Sequence, residues 1–333
     1  MTSENNKLPL NLQEVDKTTG EVVKLDVNST STVQPVALMR LGLFVPTLKS
    51  TARSKTNRKN VTDATEELVQ LSIAKSEGYN DVRITGSRLD MDTDFKVWLG
   101  IIRSMSEYGV KKDTLELSFV EFVKMCGFDT RRSNKKMRDR ISNSLFKLAS
   151  VTLKFQSETK GWTTHLVQSA FYDITEDRIE IKAEPKLFEL YHMDRRVLLR
   201  LKAIDALQRK ESAQALYTYI ESLPQNPAPI SMKRMRDRLN LTSNVYTQNH
   251  TVRKAMEQLR DIGYLDYTEF KRGRSTYFSV HYRNPKLISN TKTPRNDEEE
   301  KATEQNYDEV INALKSAGID PQKLAEALAN MKQ

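Results

Sequence analysis

The chain has 333 residues, 38% of them hydrophobic and 29% charged, enough for two ordinary domains plus tails. Its formal net charge is +9, it holds one cysteine, Cys126, and no apolar run approaches the ~20 residues that a membrane helix needs. A disulfide framework and a four-cysteine zinc site are therefore excluded, and a polar N-terminus without a signal-peptide apolar stretch points to a reducing, cytoplasmic setting with no membrane partner.

The charge is unevenly spread. Residues 284–333 carry seven basic and nine acidic side chains, a net of −2, so the body 1–283 carries +11. A basic body suits a polyanionic partner, because phosphate contacts supply most of the non-specific affinity for nucleic acid. Ribosome-binding proteins and merely soluble surfaces share this balance, so motifs must decide.

Residues 1–60 are mostly polar and are expected to form a largely disordered N-terminal arm. Lys49, Arg53, Lys55, Arg58 and Lys59 cluster near its end, and an apolar patch from Val36 to Leu48 interrupts it as a short docking element. Residues 62–77 read as a short helix. A first domain is placed at 61–205. Its strand VRITGSRL precedes DMDTDFKVWLGIIRSMSEYG, where Phe95, Trp98, Leu99, Ile102 and Met105 recur at helical spacing behind Asp92 or Asp94 as N-cap.

A short strand (LELS), a helix at 119–126, a turn at Gly127–Asp129 and a longer basic helix at roughly 132–149 come next. Strand-like runs at 150–157, 162–174 and 177–183 finish the domain, with a tight turn at Glu158 to Gly161. From Pro185 to Lys210 the pattern is helical and linking. A second domain is placed at 206–285. It opens with the helix ESAQALYTYIESL, stopped by Pro224, Pro227 and Pro229, and continues with helices at 231–239 and 250–262 separated by the polar loop LTSNVYTQNH. The run YLDYTEFKRGRSTYFSVHYR reads as a hairpin with Lys271 to Arg274 at its tip. Residues 286–333 are expected to form an acidic linker and short C-terminal helices.

Two segments match when overlaid. Leu117 to Phe128 (LSFVEFVKMCGF) aligns with Ile230 to Leu241 (ISMKRMRDRLNL), each with a serine at the N-cap position and apolar residues at helical spacing. One residue of offset later, Ile141, Leu145 and Leu148 fall on Ala255, Leu259 and Ile262. Strand, helix, turn, basic helix and hairpin is the winged-helix form of helix-turn-helix, in which the second helix enters the major groove and the hairpin contacts flanking backbone. The fold class expected is α+β, with two tandem winged-helix domains.

A recognition helix needs polar and basic side chains at its leading end. In the second domain these are Thr247, Gln248, Asn249, His250, Thr251, Arg253 and Lys254, with Arg260 too far along. Gln and Asn suit adenine, and Arg suits guanine. Lys271, Arg272 and Arg274 at the wing tip suit phosphate or the minor groove. In the first domain the stretch from Asp129 to Arg140 holds six basic and two acidic residues, and Arg131, Arg132, Ser133, Asn134, Lys135, Lys136 and Arg138 are its candidates. Such density is costly by self-repulsion unless a polyanion faces it. The wing of this domain is read as Ser157 to Trp162, which is less basic. Arg195 and Arg196 are a secondary pair.

Nothing points to catalysis, and no cofactor is expected. No P-loop occurs among the eleven glycines. His165, His192, His250 and His281 are dispersed, without the His-x-His pair that holds the metal of a nicking enzyme. Asp90, Asp92 and Asp94 mimic the start of a calcium loop, but Phe95 and Ile101 occupy its glycine and glutamate positions. Cys126 on an apolar helix face is expected in the core.

The stretches TVQPVALMRLGLFVPTLKS, RLDMDTDFKVWLGII, LFELYHMDRRVLLRLKAI, ESAQALYTYIESLP and AMEQLRDIGYLDYTEFKRGR closely resemble the RepA-type initiators of RepFIB plasmids. These fall within the iteron-plasmid initiator family that also holds RepE-like and TrfA-like proteins. The resemblance spans about residues 32–285. It implies a plasmid replication initiator whose monomer uses both winged helices on one directly repeated double-stranded sequence, the iteron. It further implies melting of an adjacent AT-rich element, recruitment of host DnaA and the replicative helicase, and a homodimer that represses its own promoter in equilibrium with the active monomer. A transcriptional repressor without an initiator role is the competing reading, since it would use the same DNA-binding parts.

Overall fold

A computed structural model describes residues 12–15, 22–25, 27–47, 61–63, 79–108, 114–132, 135–173, 175–185, 187, 190–191, 194 and 196–287. The chain divides into a unit at Met1–Leu287 and one at Ile288–Gln333. The C-terminal linker and helices expected at 286–333 fall almost wholly outside the described residues. So do the basic cluster 49–59, His192 and Arg195.

The first unit mixes helices with mostly antiparallel sheet. In chain order it runs β1 (Leu12–Val15), β2 (Val22–Leu25), β3 (Ser31–Pro35), α1 (Val36–Arg40), β4 (Phe44–Val45), β5 (Val61–Asp63), β6 (Asp81–Thr85), β7 (Leu89–Asp90), α2 (Asp94–Tyr108) and β8 (Thr114–Ser118). Next come α3 (Phe119–Met125), α4 (Lys135–Ser150), β9 (Thr152–Gln156), β10 (Gly161–His165), β11 (Val167–Asp173), β12 (Arg178–Ala183) and β13 (Arg196–Arg200). The remainder is α5 (Leu201–Ala206), α6 (Glu211–Glu221), β14 (Ile230–Ser231), α7 (Met232–Leu239), α8 (Val245–Asp261), β15 (Leu265–Arg272) and β16 (Ser275–Arg283).

The segment 31–45, expected in a disordered arm, belongs to the core instead. Every residue of β3 and α1 is buried, and β3 pairs antiparallel with β13. That strand lies in the stretch expected to be helical and linking. Asn28 Oδ1 accepts from the backbone of Thr30 and Ser31 and turns the chain into β3. The start of α1 is capped from afar: Asp194 Oδ2 accepts from Ala37 N at 2.6 Å. Gly42, at φ +71°, turns the chain out of α1 in a conformation that L side chains rarely adopt. The chain then runs through β4, which pairs parallel with β7. An apolar run this short cannot form a core, but it can complete one built by others. Val61–Asp63 forms β5, a strand on β6, at the start of the helix expected at 62–77; the rest of that stretch, 64–77, lies outside the described residues.

The stripe Phe95, Trp98, Leu99, Ile102 and Met105 is buried along α2 as its period requires. Trp98 Nε1 donates to Gln34 Oε1 at 2.9 Å, so the indole that fills the core also has its polar edge satisfied. The cap is Asp90 rather than Asp92 or Asp94, because Asp90 Oδ1 accepts from Thr93 N and Asp94 N. Cys126 is buried where expected, its thiol pushed up by burial. It sits against Gly100 of α2, where a Cβ would overlap its sulfur.

The repeated serines act as the overlay predicts. Ser118 Oγ accepts from Glu121 N while Glu121 returns a carboxylate to Ser118 N, a full capping box. Ser231 Oγ accepts from Arg234 N. Each capped helix follows a strand that joins a three-stranded sheet, in the orders β8–β12–β11 and β14–β16–β15. In both, the capped strand pairs with the later strand of a hairpin. The hairpin β9–β10 belongs to another sheet, ordered β10–β9–β6–β5. The first hairpin equivalent to β15–β16 is therefore β11–β12, and its tip is Asp173 to Asp177 rather than Ser157 to Trp162. Alternating strand runs do not name their partners, and the nearer hairpin is the simpler choice from sequence.

Candidate nucleic-acid interface

Helix α8 starts five residues earlier than its apolar pattern suggests. Asn244 caps it, Oδ1 accepting from Thr247 N at 2.9 Å, so Val245 to Asn249 form its first turn and not a loop. Val252, Ala255, Met256 and Leu259 are buried against the core. The opposite face carries Tyr246, His250, Arg253, Lys254 and Glu257, all exposed. Positions 246, 250 and 253 line up at helical spacing.

The expected readout residues divide by what holds them. Gln248 Nε2 donates to the carbonyls of Leu241 and Ser243, tying the turn between α7 and α8 together. Asn249 Oδ1 accepts from Arg236 Nη1 of α7 at 3.1 Å, fixing the angle between the two helices. Thr247 supplies the capped N–H, and Thr251 Oγ1 returns to the Thr247 carbonyl. Arg253 forms a two-toothed pair with Glu269 of β15. Arg260 reaches Asp266 at 3.3 Å and stacks over Tyr267, which makes it a clamp between helix and hairpin. His250 and Lys254 are exposed, and Lys254 has no ion-pair partner among the described residues.

At the hairpin, Lys271 and Arg272 end β15, and Arg274 sits in the turn with Gly273. All three are exposed and without an ion-pair partner among the described residues. Three unneutralised cations on one tip, beside the exposed face of α8, form a positive surface.

The first copy is differently wired. Arg131 is exposed and tied to Asp129, and Lys135 and Lys136 are exposed at the start of α4. The side chain of Arg132, and Ser133 and Asn134 altogether, lie outside the described residues. Arg138 is largely shielded, over the Phe119 ring and 3.8 Å from Asp177. Arg140 pairs with Asp92 and Thr93 and lies over Phe128. Farther along, Lys147 joins Asp90 and Asp94 at 3.1 and 2.8 Å. Internal carboxylates thus relieve much of the self-repulsion of this run, so its charge density by itself does not require an external polyanion. The β11–β12 tip carries Asp173, Glu176 and Asp177, an acidic counterpart to the basic tip of β15–β16. Arg196 donates to the Tyr191 carbonyl, beside the strand pairing of β13.

Sequence reasoning missed Tyr246 and Glu269. Tyr246, 85% exposed, is hidden among polar neighbours in the sequence; the aspartate-or-asparagine capping rule applied to Asn244 would have found it. Glu269 lies sixteen residues from Arg253, and only the hairpin pairing brings them together.

No group of three or more His, Cys, Asp and Glu that could hold a metal occurs among the described residues. No helix among them is long and apolar enough to cross a membrane.

Comparison with known proteins adds a family. The model described as Initiator Replication protein, WH1 matches residues 92–221, a span that runs through α6. The chain is 58% identical over 277 residues to RepFIB replication protein A of Escherichia coli strain K12, covering 82% of this chain and 85% of the relative. It is 60% identical over 276 residues to a replication protein RepA of Salmonella typhi, covering 82% and 79%. A crystal structure of domains 2 and 3 of RctB overlays with a TM-score of 0.45 and 12% identity, covering 74% of this chain and 98% of that one.

Proposed function

The chain belongs to the RepFIB replication protein A family of replication initiators, and from that premise we propose that it starts replication of its plasmid by binding directly repeated origin DNA through two winged helices, at 61–205 and 206–285. The observation that carries this reading is the cationic surface formed by Lys254, Lys271, Arg272 and Arg274 across α8 and the β15–β16 tip, with His250 exposed on the same helix face. Recognition helix and wing are the parts that read bases and hold phosphate in this architecture.

The two copies contribute unequally. The second supplies both a helix face and a basic wing, whereas the first supplies Lys135 and Lys136 at the start of α4 and Arg131 just before it, with Arg132, Ser133 and Asn134 as the further sequence candidates. Its acidic β11–β12 tip is repelled by phosphate. Two unequal modules suit one monomer on one asymmetric repeat better than a symmetric dimer on a palindrome.

The remaining steps are read from the family: opening of an adjacent AT-rich element, recruitment of host DnaA and the replicative helicase, and repression of its own promoter by a homodimer. The dimer reading is supported by β11, an edge strand exposing Phe171 and Tyr172, since such an edge can accept a second strand. The experiment is footprinting of the full chain on the origin beside its gene. Protection of direct repeats is the expected result, and protection of a single palindrome, or of nothing, overturns the reading.

A further inference from the structure

Arg253 sits on the exposed face of α8, but its guanidinium is not loose. Nε donates to Glu269 Oε1 and Oε2 at 2.9 and 3.0 Å, and Nη2 donates to Oε1 at 2.7 Å. Glu269 is on β15, opposite Phe278 of β16, so its backbone is held in place by the hairpin ladder. The pair therefore ties the recognition helix to the middle of the wing strand β15. Arg253 keeps 47% of its side chain exposed.

A guanidinium has five N–H donors in a planar fork. The carboxylate occupies the Nε–Nη2 edge and leaves the Nη1–Nη2 edge facing away from it. Nη1 has no partner among the described residues. That free edge is the one that can donate two parallel hydrogen bonds to N7 and O6 of a guanine in the major groove. An arginine held on one edge has lost most of its rotamer freedom before it meets DNA, so less ordering cost remains to be met on binding. A carboxylate beside the groove also repels phosphate, which penalises poorly registered complexes.

We infer that Glu269 is a positioning and specificity-determining residue, which presents the free edge of Arg253 to a guanine of the repeat. The inference rests on the reading of α8 as a recognition helix. It treats the ion pair as a device that survives in the complex, not as a latch that DNA must break.

The test uses the full chain and a duplex carrying one footprinted repeat, with 7-deazaguanine placed at each guanine in turn. In the wild type one guanine should show a penalty of about tenfold on losing N7. Arg253→Ala should abolish that penalty. Glu269→Ala should shrink it to about threefold or less while leaving the penalties at other guanines unchanged, and should raise affinity for random duplex severalfold. Thermal unfolding of Glu269→Ala should match wild type, since the pair is half-exposed. A full N7 penalty retained by Glu269→Ala overturns the inference, as does the absence of any guanine whose penalty depends on Arg253. Uniformly tighter binding with the N7 pattern intact would identify a latch instead. A wild type that does not prefer the repeat over random duplex is a different failure, that of the initiator reading itself.

Discussion

Arg238 and Phe44 lie 194 residues apart in the chain and 3.0 Å apart in space, Nη1 of the one donating to the carbonyl of the other. The same guanidinium donates to the Met39 carbonyl at 3.0 Å and to Thr218 Oγ1 at 3.2 Å. Helix α7, the segment 39–44 and helix α6 thus meet on one buried cation. Arg88 works beside it, donating to the carbonyls of Pro46, Leu239 and Asn240. These arginines hold the N-terminal segment against helices α6 and α7.

Replacing Arg238 by methionine fills the space but leaves buried carbonyls without donors. A loss of about 2–4 kcal/mol in unfolding free energy is expected, read as a lower midpoint in urea at unchanged slope. Lysine, with a single donor centre, should recover only part of it. A midpoint equal to wild type would show that water replaces the guanidinium.

The Asp90–Asp94–Lys147 cluster sets a pH dependence. Burial, with the charge of Asp90 added, pushes the Asp94 carboxyl up to about 6 despite its contact with Lys147. Burial opposes a low value for Asp90, but the backbone donor of Thr93 and the charge of Lys147 outweigh it and hold that carboxyl below its usual range. Between pH ~4 and ~6 the folded chain therefore binds a proton at Asp94 that the unfolded chain has lost. Its contribution to stability falls as pH rises through that window. Carbon-detected titration should place Asp94 near 6 with Asp90 well below it. Asp94→Asn should flatten the dependence of melting temperature on pH across the same window. Two carboxyls titrating together at the ordinary aspartate value would contradict this wiring.

Much of this is legible in the sequence. The stripe of α2 and the capping serines Ser118 and Ser231 are local features, set by helical period and by the orphan donors of a helix start. The segment 31–45 is not legible, because Asp194, β13 and Arg238 lie more than 150 residues away and leave no trace in its own pattern. Strand alternation points to the nearer hairpin as the first wing, because it carries no record of pairing. The basic run at 131–140 reads as one surface, but its charges divide between solvent and the internal carboxylates Asp92 and Asp177.

The two hairpin tips should behave oppositely. Neutralising Lys271, Arg272 and Arg274 together should lower the slope of log affinity against log salt by about 2–3, since each phosphate left unneutralised removes about 0.9. Replacing Asp173 and Glu176 by asparagine and glutamine should leave the slope unchanged or raise affinity slightly. Equal slopes for wild type and the basic-tip variant would mean that this wing faces solvent.

The edge strand β11 offers a test of self-association. Phe171→Asp with Tyr172→Lys should shift the chain towards monomer in sedimentation velocity without lowering its melting temperature, because both side chains are exposed. An unaltered dimer would move the interface elsewhere.

The central claim is that α8 and its wing read a repeated sequence in the origin. The most direct measurement is the affinity of the full chain for a single-repeat duplex against a scrambled duplex at about 0.15 M salt, repeated for Arg253→Ala. The account predicts a preference of about 10³-fold or more for the repeat, with Arg253→Ala losing roughly 1–3 kcal/mol of specific binding and little of the non-specific term. Equal affinity for both duplexes, or a preference that Arg253→Ala leaves intact, would contradict it.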